Sequence, residues 1–175
     1  QQRDAHRAFL YNSTMHTLHH TTAKPMRYAL LLRGINVGGK HKVSMDHLKA
    51  DLMELGFCNV VSYINSGNLF FDSSEPEEVI QRTLARYCDA TYDFPVPFII
   101  ISAATLQQEV TQLPSWWQDD TAYRRDALFY LPEADTAAIE AETATWANDR
   151  EQLHFGRTAF FYCNHNQADY LTSNY

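Results

Sequence analysis

The run Ala29-Leu30-Leu31-Leu32 ends on Arg33, and a glycine-rich basic loop follows it, Gly34-Ile35-Asn36-Val37-Gly38-Gly39-Lys40-His41-Lys42. Apolar residues on successive positions predict a strand covered on both faces. Gly34, Gly38 and Gly39 open backbone conformations that other residues avoid. Ser44 then reads as a helix N-cap, with Met45, Leu48, Leu52 and Leu55 at spacings of three and four and Gly56 as the stop. Flexible backbone, positive charge and a helix N-terminus within about a dozen residues can hold an anion. The pattern names neither the anion nor a reaction.

The rest of the chain continues in short alternating elements. A first strand over 27–33 and a helix from Ser44 lead to a second strand over 59–64. Asn65-Ser66-Gly67-Asn68 reads as a turn, and 69–71 as the returning strand of a hairpin. Pro76 opens a second helix with an apolar stripe at Val79, Ile80, Leu84 and Tyr87, and Pro95 and Pro97 precede a fourth strand over 98–101. The order βαββαβ is that of the ferredoxin-like split unit. A connecting helix over 105–113 and a loop or short turn over 114–125 come next. A strand over 127–131, a helix over 133–148, a hairpin of 152–155 with 158–163 and a helix start over 169–175 complete the chain. Gly67-Asn68-Leu69-Phe70-Phe71 faintly echoes Gly156-Arg157-Thr158-Ala159-Phe160-Phe161. The expected fold is therefore α+β, with tandem duplicated ferredoxin-like βαββαβ units, the second truncated at the C-terminus. The expected domains are an extension over 1–25, a first repeat over 26–102, and a connecting helix with an incomplete second repeat over 103–175.

The extension is set apart by composition. It holds four of the eight histidines (His6, His16, His19, His20) and shows no clear period. It reads as disordered and foreign to a domain starting at Met26. A metal-binding tract at His16, His19 and His20 is the sharper alternative, but no Cys or acidic partner lies close by. Arg3, Arg7 and Lys24 outnumber Asp4 by two there; the whole chain is −7, so residues 26–175 stand at −9. So acidic a body disfavours non-specific nucleic-acid binding. No apolar run approaches the roughly 20 residues of a membrane span, and no signal-peptide core appears. Cys58, Cys88 and Cys163 are odd in number and far apart, as expected of reduced thiols in a cytoplasmic protein.

The βαββ order predicts where a site would lie. Its first two strands run parallel, so the loop after strand one and the turn after strand two share one sheet edge. That brings Arg33, Gly34, Asn36, Gly38, Gly39, Lys40 and Lys42 near Asn65, Ser66, Gly67 and Asn68. Both segments can equally be turns chosen for backbone geometry. Arg33 at the strand end either binds an anion or pairs with a carboxylate to fix the loop. Gly34 to Lys40 also satisfies G-x-x-x-x-G-K, but His41 stands where magnesium needs Ser or Thr and the helix starts late. No strand ends in a magnesium-ligating Asp in a parallel setting. Ser66-Gly67 is not a nucleophile elbow. His41 could serve as a base, as could His47, read as mid-helix and solvated. Glu77-Glu78 and Asp119-Asp120 read as surface charge, and Phe70 and Phe71 as core rather than an RNA platform.

The opening Ala29 to Lys40 with Val43 and Met45, then Leu55-Gly56-Phe57, Asn59-Val60, Tyr63 to Asn68 and Phe71, resembles a bacterial family. That family is number sixteen ninety-seven in the domain-of-unknown-function series. The resemblance is specific over 26–73 and looser beyond. It implies a duplicated ferredoxin-like α+β fold, a start at Met26, and a further helix and strand beyond residue 175. It implies no activity, cofactor or catalytic residue.

Three function classes stay open. One is a binding module for an anionic or phosphate-bearing small molecule, a nucleotide among them, at the loop and turn. Another is an interaction or homodimeric module in which the glycine-rich motif is structural. The third is a nucleotide-handling enzyme. The sequence assigns no cofactor and no metal site, although a nucleotide-handling enzyme would need magnesium for turnover.

Overall fold

A computed structural model describes residues 24–63, 67–146 and 151–173. The histidine tract and nearly all of the expected extension lie outside the described residues, as do Asn65 and Ser66. The chain divides between Ala104 and Thr105 into two compact units.

The first unit runs β1 (Met26–Leu32), α1 (Met45–Glu54), β2 (Cys58–Tyr63), β3 (Asn68–Ser73), α2 (Glu77–Thr91) and β4 (Phe98–Ser102). Its four-stranded sheet has the order β2-β3-β1-β4, every neighbour antiparallel. β1 and β2 thus both run against β3 and point the same way. Tyr28, Leu30 and Leu32 of β1, Leu69 and Phe71 of β3, and Phe98 and Ile100 of β4 bury one sheet face. They join Leu48 and Leu52 of α1 and Ile80, Leu84 and Tyr87 of α2 in one core. A leucine buried as fully as Leu52 contributes about 1.5–3 kcal/mol. Ala29, Ile99 and Ile101, on the opposite face, are buried as well.

α1 starts and stops where its sequence dictates. Ser44 Oγ accepts from the His47 amide at 3.4 Å. At the other end Gly56 turns left-handed at φ 93. Its N–H donates to Met53 O and the Phe57 N–H to Leu52 O, the paired bonds of a Schellman stop. His47 lies in the first turn, not mid-helix as read from the sequence.

The second unit follows from α3 (Ala103–Thr111), which spans the division, through a 3-10 turn at Ser115–Gln118. It continues with β5 (Arg124–Phe129), α4 (Thr136–Thr143), a 3-10 turn at Ala144–Trp146, β6 (Glu151–Phe155), β7 (Ala159–Asn164) and α5 (Gln167–Leu171). Its antiparallel sheet has the order β5-β7-β6. The expected helix over 133–148 is shorter, because Asp135 caps it by accepting from the Ala138 amide at 3.0 Å. β5 starts earlier than the expected 127, since Arg124 already pairs with Asn164. The expected helix start at 169 moves to Gln167, because Asn166 caps it through the Asp169 amide. Among the described residues no helix is long and apolar enough to cross a membrane.

Candidate functional site

The β1–α1 loop is braced from within. The Asn36 amide donates to His41 O and the Lys40 amide to Val37 O, each at 3.0 Å. Val37 to Lys40 thus closes a tight turn whose centre, Gly38 and Gly39, has φ 58 and 75. Positive φ at both central residues is what glycine supplies at least cost. Asn36, itself at φ 57, turns its carboxamide inward. Its Nδ2 donates to Val43 O at 3.0 Å and its Oδ1 accepts from the Val43 N–H at 2.9 Å. Ile35 and Val43 are buried and form the floor beneath the loop.

The β2–β3 turn meets this loop through Gly67. The Leu32 amide donates to Gly67 O at 3.0 Å. A β-carbon on Gly67 would stand 2.8 Å from Ile35 Cδ1, and its φ is 87. Asn68 lies in the ladder opposite Leu31 and Tyr63. Gly67 and Asn68 are therefore beneath and beside the loop. Nothing is described for Asn65 and Ser66.

The cations face outward. The Arg33 amide donates to Pro97 O at 2.9 Å, which fixes the end of β1. The side chains of Arg33, Lys40 and Lys42 are exposed. Some other cations are paired: Arg27 with Asp72 at 3.0 Å, Lys49 with Asp46 at 2.9 Å, Arg125 with Asp120 at 3.7 Å. Arg33, Lys40 and Lys42 form no ion pair among the described residues. Among the described residues nothing beyond the chain neighbours lies within 4 Å of a β-carbon placed on Gly34, Gly38 or Gly39, so these glycines serve conformation rather than close packing.

Two further contacts were not visible in the sequence. The His41 ring lies on Phe94, centroids 4.5 Å apart and planes at 19°, with Nδ1 3.2 Å from Gly34 O. Behind Phe94 stand Tyr92 and Tyr87, and the Tyr87 hydroxyl donates to Asp51 Oδ2 at 2.6 Å. Burial pushes the Tyr87 phenol well above its ordinary range, so it stays protonated as that donor. Hydrophobic periodicity finds Tyr87 but not the ring column, which joins residues far apart in sequence.

The phosphate-loop pattern does not occupy phosphate-loop geometry. α1 opens only at Met45, and the sheet holds no parallel neighbours. Among the described residues no cluster of His, Cys, Asp and Glu is arranged to hold a metal.

Fold and site together define an antiparallel α+β protein with a braced, cationic loop at one sheet edge. The chain belongs to the family described as "Protein of unknown function (DUF1697)", which it matches over residues 26–161. It is similar to the conserved bacterial protein SP0830 from Streptococcus pneumoniae, whose solved structure it matches with a TM-score of 0.80 at 37% identity. The match covers 86% of this chain and 83% of that one. A comparison with curated proteins returns no match.

Proposed function

We propose that this protein is a binding module for an anionic or phosphate-bearing small molecule, held by the loop from Arg33 to Lys42. One observation carries the reading. Three exposed cations without ion-pair partners among the described residues sit on one internally braced loop, in a chain of net charge −7. A braced loop loses little entropy on binding, so its charge is available at low cost. Arg33 offers a planar fork for bidentate contact, and Lys40 and Lys42 add mobile point charges. Asn36 acts as the internal brace and Gly67 as the support.

A second reading makes the module an interaction surface, with the glycine-rich motif purely structural. Exposed Val61 and Tyr63 on the edge strand β2 favour it. We also read the two units as tandem ferredoxin-like copies, the second incomplete. The order β2-β3-β1 in one sheet and β6-β7-β5 in the other supports this. The free thiols Cys58, Cys88 and Cys163 support a cytoplasmic setting.

Thermal unfolding with phosphate, pyrophosphate, sulfate and di- and tricarboxylates tests the binding reading. A ligand at 100 times its Kd adds about 2.7 kcal/mol. At least one polyanion should raise the midpoint in the wild type and fail to do so in Arg33→Ala. A panel with no shift favours the interaction reading.

A further inference from the structure

We infer that the anion held by this loop is the phosphate group of a nucleotide whose base stacks on His41. This rests on the anion-binding reading above and names its ligand class. A column of aromatic rings leads to the surface at this loop. Tyr87 and Tyr92 meet edge to face at 6.1 Å, Tyr92 and Phe94 are 5.5 Å apart, and His41 lies nearly parallel on Phe94 at 4.5 Å. The inner end is anchored by the Tyr87–Asp51 hydrogen bond. Among the described residues no further ring covers the outer end. His41 is exposed although one ring face rests on Phe94, so the other face meets solvent. A fixed aromatic plane open on one side accepts a planar group, and every nucleobase offers a π-face.

The charge beside that plane is positive. His41 stands between Lys40 and Lys42, and its Nδ1 reaches the carbonyl of Gly34, the residue after Arg33. Stacking surface and phosphate-binding charge therefore share one short loop. The turn itself does not call for a ring: His41 has φ 50, where Asn or Gly would fit with less strain. The imidazole contacts Phe94 through one face and the Gly34 carbonyl through Nδ1, and its remaining face is the one assigned to a ligand base. The acidity of the chain favours a small nucleotide over a long strand, whose many phosphates it would repel.

Isothermal titration with the four nucleoside diphosphates and with inorganic pyrophosphate, at one ionic strength, tests this. In the wild type at least one nucleoside diphosphate should bind five- to tenfold tighter than pyrophosphate. In His41→Asn, which suits a left-handed backbone but has no ring, the ratio of the two affinities should fall to about one. His41→Phe, which restores a stacking ring, should keep the preference. A melting curve for each variant reports whether it is folded. Equal affinity for nucleotides and pyrophosphate in the wild type overturns the nucleotide assignment and leaves the anion site standing. A preference that survives in folded His41→Asn also overturns it. Binding of neither probe overturns the nucleotide assignment and the phosphate form of the anion reading, and the carboxylates and sulfate of the unfolding panel then decide whether an anion site remains.

Discussion

Gly67 and Ile35 occupy space that no additional carbon can share: a β-carbon on Gly67 would stand 2.8 Å from Ile35 Cδ1 and 3.0 Å from Leu32 Cβ. Gly67 therefore rests directly on Ile35, in the floor of the β1–α1 loop. At φ 87 an alanine here is strained as well as crowded. Gly67→Ala should destabilise the protein by about 1–3 kcal/mol in urea unfolding. An unchanged midpoint would show that the turn can move off Ile35 freely.

Asn36 should prove structural. Its carboxamide satisfies both the N–H and the C=O of Val43. Asn36→Gly keeps the left-handed backbone and removes both bonds. The expected cost is about 1–3 kcal/mol by chemical denaturation. A neutral Asn36→Gly would mean water replaces the amide without penalty.

The local features of this loop and the sheet end it shares with Gly67 were legible in the sequence, and its side-chain contacts were not. Ser44 and Gly56 bound α1 because capping and left-handed turns are decided by neighbours a few residues away. The shared edge of Gly67 and Arg33's loop followed from the parallel direction of β1 and β2. Asn36, expected at the site from its place in the loop, has its carboxamide on Val43, a contact that its sequence position does not reveal because a carboxamide matches a backbone amide as well as it matches a ligand. The stacking of His41 on Phe94 joins two segments across the unit, and no periodicity encodes it. In the second unit, alanine and glutamate content predicted too long a helix over 133–148; the cap at Asp135 overrode propensity at its start.

Glu109 and Gly156 are coupled in the second unit. Glu109 is buried at 6% exposure, with its carboxylate 3.3 and 3.4 Å from the Thr158 amide. A β-carbon on Gly156 would lie 1.8 Å from Glu109 Oε1. Gly156→Ala must expel that side chain and forfeit its contact with Thr158, at about 1–3 kcal/mol. In a Glu109→Ala background the same substitution should cost clearly less. Strict additivity in the double-mutant cycle would refute the coupling.

Asp72 should make the first unit acid-sensitive. The Asn59 side chain donates to it at 2.6 Å and Arg27 at 3.0 Å, which together hold its carboxyl below the usual range. A depressed native pKa contributes stability that is complete above the unfolded value of about 3.9. It is lost as pH falls through the lower native value. The difference in unfolding midpoint between pH 7 and pH 3 should therefore shrink in Asp72→Asn. An identical difference in both proteins would show that this carboxylate does not contribute.

The three thiols should react unequally. Cys58 is exposed, whereas Cys88 and Cys163 are buried, and burial pushes Cys88 up to about 12. Iodoacetamide on the native protein at pH 8 should give one fast adduct, at Cys58, by intact mass and peptide mapping. Equal labelling of Cys88 under native conditions would contradict its place on the buried face of α2.

The most direct test of the anion site is amide mapping by NMR during titration with inorganic pyrophosphate. The largest shifts should fall on the N–H groups of Gly34 to Lys42, saturate with the bulk binding curve, and vanish in a folded Arg33→Ala, Lys40→Ala double variant. Saturable shifts centred elsewhere in the chain, or unchanged loop shifts in that variant, would contradict the assignment of the anion to this loop.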